Sequence, residues 1–148
     1  MIDVEVSNRQ TTVAVDAGRL SDAIRGVLCE AGVRHGSVSL AVVDDPEIHR
    51  LNRRHLNHDY PTDVLSFLLE KGDDRLEGEI IISADTAAAA AARFGWTTED
   101  ELLLYAIHGA LHLVGYDDQD PAGQAEMRSQ EAAALSRFGL SPRYEENP

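Results

Sequence analysis

One cysteine, Cys29, one tryptophan and one lysine, Lys71, stand in a chain of 148 residues. A lone cysteine can build neither a disulfide framework nor a four-cysteine zinc site within one chain, so any metal must be held by imidazoles and carboxylates. No apolar run approaches the roughly 18 residues that a membrane-spanning helix needs. The N-terminus, Met-Ile-Asp-Val-Glu-Val, lacks the basic head of a secretory signal. The expectation is a cytoplasmic, soluble protein with no membrane partner. Basic charge is also scarce: 13 Lys and Arg face 26 Asp and Glu, a formal charge of −13. Such a field repels nucleic acid at long range, because binding a polyanion works by displacing its counterions with cationic groups. A nucleic-acid role would therefore need a local basic patch. What the chain does have is apolar content, 43% of residues, enough to bury a core, at a length suited to one domain.

Strand and helix patterns mix along the whole chain. Ile2, Val4 and Val6 alternate with polar residues as in a half-buried strand, and from about Asp16 the spacing of Leu20, Ile24, Val27 and Leu28 turns helical until Gly32. Val38, Leu40 and Val42 form a second strand, and Asp44 or Asp45 ahead of Pro46 starts a helix carrying Ile48, Leu51 and His55. A third strand over 64–69, a charged turn over 70–77 and a fourth strand over 79–82 follow. Ser83 caps an alanine-rich helix that reaches Arg93 and Phe94. Thr98 and Glu101 read as a capping box opening a long apolar helix over 102–114, closed by Gly115. The last helix starts near Asp120-Pro121 and runs to about Phe138, leaving a loose tail from about 141. The pattern predicts a single α/β (α+β) domain, a small mixed four-stranded sheet covered by about five helices. Cys29 falls in an apolar helix pattern as a core residue, and Trp96 after Gly95 packs a helix junction.

On the long helix the apolar residues cover more than half of the circumference. Glu101, Tyr105, His108 and His112 share the remaining stripe, where i,i+4 spacing stacks the two imidazoles. Such a stripe is either the solvent face of an amphipathic helix or the start of a metal site. The segment His108-Gly109-Ala110-Leu111-His112-Leu113-Val114-Gly115-Tyr116-Asp117-Asp118 favours the metal, because a reversal at Gly115 can return the carboxylate of Asp117 or Asp118 toward the imidazoles. Three N/O ligands with an open position suit catalytic zinc. Gly109 stands where a zincin protease of the HExxH type has its Glu, so that chemistry is disfavoured.

This segment resembles the signature H-G-x-L-H-L-x-G-Y-D-H of the YbeY-type bacterial endoribonucleases, also called rRNA maturation factors. Ten consecutive positions fit, from His108 to Asp117. Leu51-Asn52 followed by Pro61-Thr62-Asp63-Val64-Leu65-Ser66-Phe67 is similar to the family's L-N…P-T-[DN]-V-L-S-F element, and Gly78-Glu79-Ile80-Ile81-Ile82 resembles its G-D-[IL]-x-I strand. The chain departs at two places. The family's third metal-ligating His falls on Asp118, and the Arg that the family places four residues after L-N falls on Leu56. Aspartate is a legitimate zinc ligand, so the resemblance implies a His108, His112, Asp118 site for one divalent ion. That ion is zinc, with Mn²⁺ favoured more by the carboxylate than by an all-His set.

Over 49–59 the chain carries Arg50, Arg53 and Arg54 against one Asp, a local charge of +2 with His49, His55 and His58 besides. This is either a solvated helix face, its arginines paired with Asp44, Asp45 or Glu47, or the place where RNA docks. Asp63 and Asp117 are candidates for a general base or for orienting a ligating His, and the base stays unassigned. The resemblance implies a metal-dependent single-strand endoribonuclease acting on ribosomal RNA at the small ribosomal subunit, with no DNA substrate. The competing readings are a noncatalytic, ribosome-associated metal-binding factor and a metallohydrolase of another substrate such as peptide.

Overall fold

The computed structural model of the chain describes residues 1–56 and 63–143, apart from the side chains of His55 and Leu56. Its elements run β1 (Ile2–Asn8), α1 (Ala17–Glu30), β2 (His35–Val43), α2 (Asp45–Leu56), β3 (Val64–Lys71), β4 (Arg75–Ser83), α3 (Ala84–Phe94), α4 (Thr98–Leu113) and α5 (Pro121–Ser136). The strands form one mixed sheet in the order β1-β2-β4-β3, with β1, β2 and β4 parallel and β3 antiparallel to β4. The expected α+β architecture of four strands and five helices is therefore what the described residues form.

The period-2 alternation decides which side chains meet which helices. Ile2, Val38, Leu40, Val42, Leu76, Ile80 and Ile82 turn toward α1 and α4 in one core, while Val43, Leu65 and Ile81 turn to the opposite face and meet Ile48 of α2. Each aliphatic side chain buried this fully contributes about 1.5–3 kcal/mol. Helix starts are secured by short polar side chains. Asp16 accepts the Arg19 N–H at 3.1 Å, Ser83 the Thr86 N–H at 3.1 Å, and Asp120 the Gly123 N–H at 2.6 Å. Asp44 caps α2 through the Glu47 N–H at 2.9 Å. Asp45 accepts from the hydroxyls of Ser83 and Thr86, joining the start of α2 to that of α3.

Several boundaries differ from the sequence pattern. The charged turn is only three residues, because β3 runs on to Lys71 and β4 begins at Arg75, with the Gly72 N–H donating to the Arg75 carbonyl at 2.8 Å. Glu70 pairs with Glu77 in this part of the ladder, and Lys71 with the buried Leu76. The cap of α4 is Thr97, which accepts the Asp100 N–H at 3.1 Å, rather than Thr98, and Glu101 is thereby freed to turn inward. The last helix stops at Ser136, two residues short of Phe138. Cys29 is exposed and not a core residue, because the final turn of α1 points Cys29 and Glu30 outward while Val27 and Leu28 carry the packing. Of the tail expected from 141, residues 141–143 carry no helix or strand, and 144–148 lie outside the described residues, as do Pro61 and Thr62 of the motif.

Helix α4 takes the central place, packing on β3, β4, α1, α3 and α5. Gly109 sets how closely it can lie on the sheet. A Cβ there would stand 2.6 Å from Ile80 Cγ2 and 3.2 Å from Val64 Cγ1, and the Ser66 hydroxyl donates to the Gly109 carbonyl at 3.1 Å. Gly109→Ala gains up to about 1 kcal/mol of helix propensity but loses about 1–3 kcal/mol to overpacking. The expected outcome is a net loss of stability of about 1 kcal/mol, measured by urea unfolding; a variant more stable than the parent contradicts this packing.

Candidate metal centre

The two histidines owe their placement to the local helix. They sit four residues apart on α4, their rings meet edge to face with centroids 4.6 Å apart, and their Nε2 atoms are 3.0 Å from one another. Past the end of α4 the chain turns at Gly115, whose φ of +106° lies in the left-handed region that side chains rarely adopt. The Tyr116 N–H returns to the Leu111 carbonyl at 3.0 Å and closes that turn. Asp118 then comes back over the helix, its Oδ2 3.6 Å from His108 Nε2 and its Oδ1 3.7 Å from His112 Nε2. Donor atoms of His108, His112 and Asp118 all lie within 4.8 Å of one another.

These distances fit one small divalent ion. Metal–ligand bonds of about 2.0–2.1 Å at tetrahedral angles separate neighbouring donors by about 3.3 Å; the two imidazole nitrogens are 3.0 Å apart, and with one oxygen of Asp118 the three donors lie within 4.8 Å of one another, so a small turn of the Asp118 side chain would close the set on an ion. Of the rival carboxylates, Asp117 accepts the Gln119 N–H at 3.1 Å and shapes the turn, and Asp120 caps α5. The arrangement leaves one side open toward a cleft of about 520 Å³ between α4, α5 and the start of β3.

A residue that the sequence pattern did not single out completes the site. Glu131 of α5 is buried, and its Oε2 lies 2.6 Å from His108 Nδ1. A carboxylate accepts from Nδ1–H, which leaves the Nε2 lone pair of a neutral imidazole facing His112 and Asp118, as a metal ligand requires. Burial pushes the His108 pKa down, but the hydrogen bond and charge of Glu131, with Asp118 and Asp63, outweigh it and hold the pKa above its usual value. The signal for Glu131 was present in the chain. Met127, Glu131 and Leu135 are the buried residues of α5 at i, i+4 and i+8, so an acid interrupts an apolar stripe.

The rest of the histidine stripe is not a solvent face. Glu101 and Tyr105 are buried and line the cleft with His108, because α5 and the junction after α3 cover that side of α4. Trp96 sits at this junction, as its sequence neighbours suggested, and its Nε1 donates to Glu101 at 2.7 Å. Burial raises the Glu101 pKa, and the hydrogen bonds from Trp96 and Tyr105 partly counter it. Burial likewise raises the Tyr105 pKa, with the Glu101 charge adding to it, so the phenol stays a donor. Asp63, at the foot of β3, also lines the cleft. Arg50, Arg53 and Arg54 lie elsewhere, exposed on α2, whose Ile48 packs on the sheet face opposite α4; Arg50 Nη2 is 3.9 Å from Glu47. None of the three is among the described residues lining the cleft.

The role of Glu131 is measurable. Glu131→Ala removes the acceptor that orients His108 and is expected to weaken metal affinity about 10–100-fold, whereas Glu131→Gln, which keeps an accepting oxygen, loses less. Metal titration by calorimetry checks this, and parental affinity in a folded Glu131→Ala protein would refute the orienting role.

Comparison with known proteins agrees with this geometry. The family model described as Endoribonuclease YbeY matches residues 5–139. A protein named Endoribonuclease YbeY from Salinibacter ruber is 42% identical over 136 residues, covering 86% of this chain and 87% of its own. One of the same name from Moorella thermoacetica is 39% identical over 155 residues, covering 94% and 99%. Another, from Rhodopirellula baltica, is 42% identical over 123 residues, which span 82% of this chain but only 63% of that protein. The solution structure of TM1509 from Thermotoga maritima superposes with a TM-score of 0.62 at 25% identity, over 100% of this chain and 98% of that one. With a family match over nearly its whole length, and with the histidines of the motif gathered at one point, the chain belongs to the endoribonuclease YbeY family.

Proposed function

We propose that this protein is a metal-dependent single-strand endoribonuclease acting in ribosomal RNA processing and ribosome maturation. The observation that carries the reading is the convergence of His108, His112 and Asp118 on one point beside an open cleft, in a chain of this family. These three side chains would hold one divalent ion, zinc by the resemblance. When bound, the ion supplies Lewis acidity toward a phosphodiester oxygen and acidifies water. Asp118 shifts the preference toward harder ions such as Mn²⁺, because a carboxylate is a harder ligand than the imidazole that the resemblance implies there.

The protein's own groups do the rest. Glu131 holds His108 in the ligating tautomer, and Tyr105 and Glu101 form a hydrogen-bonded pair in the cleft behind it. Arg50, Arg53 and Arg54 form a surface on α2 that RNA meets on approach, offsetting part of the −13 charge by releasing phosphate counterions. Ribosomal RNA as substrate, the small ribosomal subunit as surroundings and a cytoplasmic location follow from the resemblance to rRNA maturation factors. No helix among the described residues is long and apolar enough to cross a membrane. A noncatalytic, metal-binding ribosomal factor is the second reading, favoured by the acidity of the chain and by Leu56 in the place of an arginine.

Incubating the protein with single-stranded RNA, with and without chelator, tests the proposal. Cleavage is expected with the metal, and its loss is expected on chelation and in folded His108→Ala and His112→Ala variants. Cleavage that survives all three would end the metal-dependent reading, and RNA that is bound but never cut would favour the second. In the same metal titrations Asp118→Ala is expected to bind severely less, and Asp118→His to retain the ion with a preference moved toward zinc.

Neutralising any two of Arg50, Arg53 and Arg54 is expected to flatten the dependence of RNA affinity on log salt by about one to two units. An unchanged slope would mean that α2 presents only a solvated face.

A further inference from the structure

The cleft beside the metal centre is acidic for a site that must take a polyanion. Asp63, Glu101, Asp118 and Glu131 line it, and the guanidinium groups among its described lining residues are those of Arg128 and Arg143. Arg143 is engaged at the end of α3, where its Nη1 donates to the carbonyl of Gly95 at 2.9 Å. Arg128 stands on another element. It is exposed on α5, three residues before Glu131 and one after Met127, both of which are buried. Gln124, Met127, Arg128 and Glu131 fall within a roughly 100° arc of that helix. The same helix face therefore carries the carboxylate that orients His108 at its buried side and a guanidinium at its wet rim. Arg128 thus lines the same cleft as His108 and Asp118, and a guanidinium fork suits a phosphodiester, which it can bind through two parallel hydrogen bonds.

We propose that Arg128 is a substrate-contacting residue of this chain, its guanidinium clamping the phosphodiester held at the cleft. This rests on the endoribonuclease reading above and adds to it a second cationic group beside the divalent ion. It gives a chain with Leu56 at the position of an expected arginine a charge from another element. Arg50, Arg53 and Arg54 serve approach from α2, whereas Arg128 serves the bound phosphate.

The experiment compares the parent with Arg128→Ala, Arg128→Lys and, as a control on the same helix, Arg137→Ala, whose guanidinium pairs with Glu30 at 2.9 Å away from the cleft. Affinity for a single-stranded oligoribonucleotide is read by fluorescence anisotropy over a salt series with chelator present, so that no cleavage occurs. Cleavage is then read with metal restored. Arg128→Ala is expected to lower the salt slope by about one unit and to reduce kcat/KM about 10–100-fold. Arg128→Lys is expected to keep the slope but recover cleavage only in part, because it lacks the planar fork. Arg137→Ala is expected to match the parent in both. A parent that cuts RNA while Arg128→Ala keeps parental slope and kcat/KM overturns this proposal and leaves the endoribonuclease reading standing. Equal losses in Arg137→Ala overturn it too, as an effect of net charge alone. A parent that neither binds nor cuts RNA overturns the endoribonuclease reading and the role of Arg128 with it.

Discussion

Helix α4 is pressed onto β3 and β4 at a separation that Gly109 on the helix and Gly78 on β4 permit, and the other features of the site are built on that contact. With α1, α3 and α5 around it, the helix is buried along Leu102, Leu103, Ala106, Ile107, Ala110 and Leu111. Its one polar stripe is left facing a cleft instead of open water. Interiors at crystal-like density tolerate little motion, so two imidazoles carried on such a helix stay at a fixed spacing. A pair of ligands on an exposed helix would spend part of its binding energy on being ordered.

Around this rigid element the electrostatics are arranged in opposition. Glu131 is almost fully buried, which is costly for a carboxylate unless it is hydrogen-bonded, and the His108 Nδ1–H satisfies it. Glu101 is buried as deeply and is satisfied by Trp96 and Tyr105. The two buried acids therefore differ in use. One holds the His108 ring, and the other ties the junction after α3 to the floor of the cleft.

The fold was legible because its elements announce themselves locally. Period-2 alternation marked β1 and β2, and short polar caps marked the starts of α1, α3 and α5. The errors fell where two residues of one type compete or where exposure depends on a distant partner. Thr97 and Thr98 offer the same hydroxyl, and only the run of the chain out of the Gly95-Trp96 junction decides which of them caps α4. Cys29 matches an apolar spacing yet faces water, because the last turn of α1 packs through Val27 and Leu28 and leaves Cys29 exposed.

By itself the sequence determined that His108, His112 and Asp118 come together in a cluster that could hold a metal ion. His108 and His112 are one helical turn apart, Gly115 supplies the reversal, and Asp118 follows within a few residues, so the geometry is local and the spacing already contains it. Tertiary structure alone decided what surrounds that pair. Glu131 reaches His108 from 23 residues away, Arg128 comes to the cleft on the same helix, and Glu101 and Tyr105 become interior groups. The placement of α5 against α4 follows from the packing of Met127 and Leu135 into the shared core. Local spacing can encode neighbours along one helix, but which two helices share a cleft is settled only when their apolar faces meet.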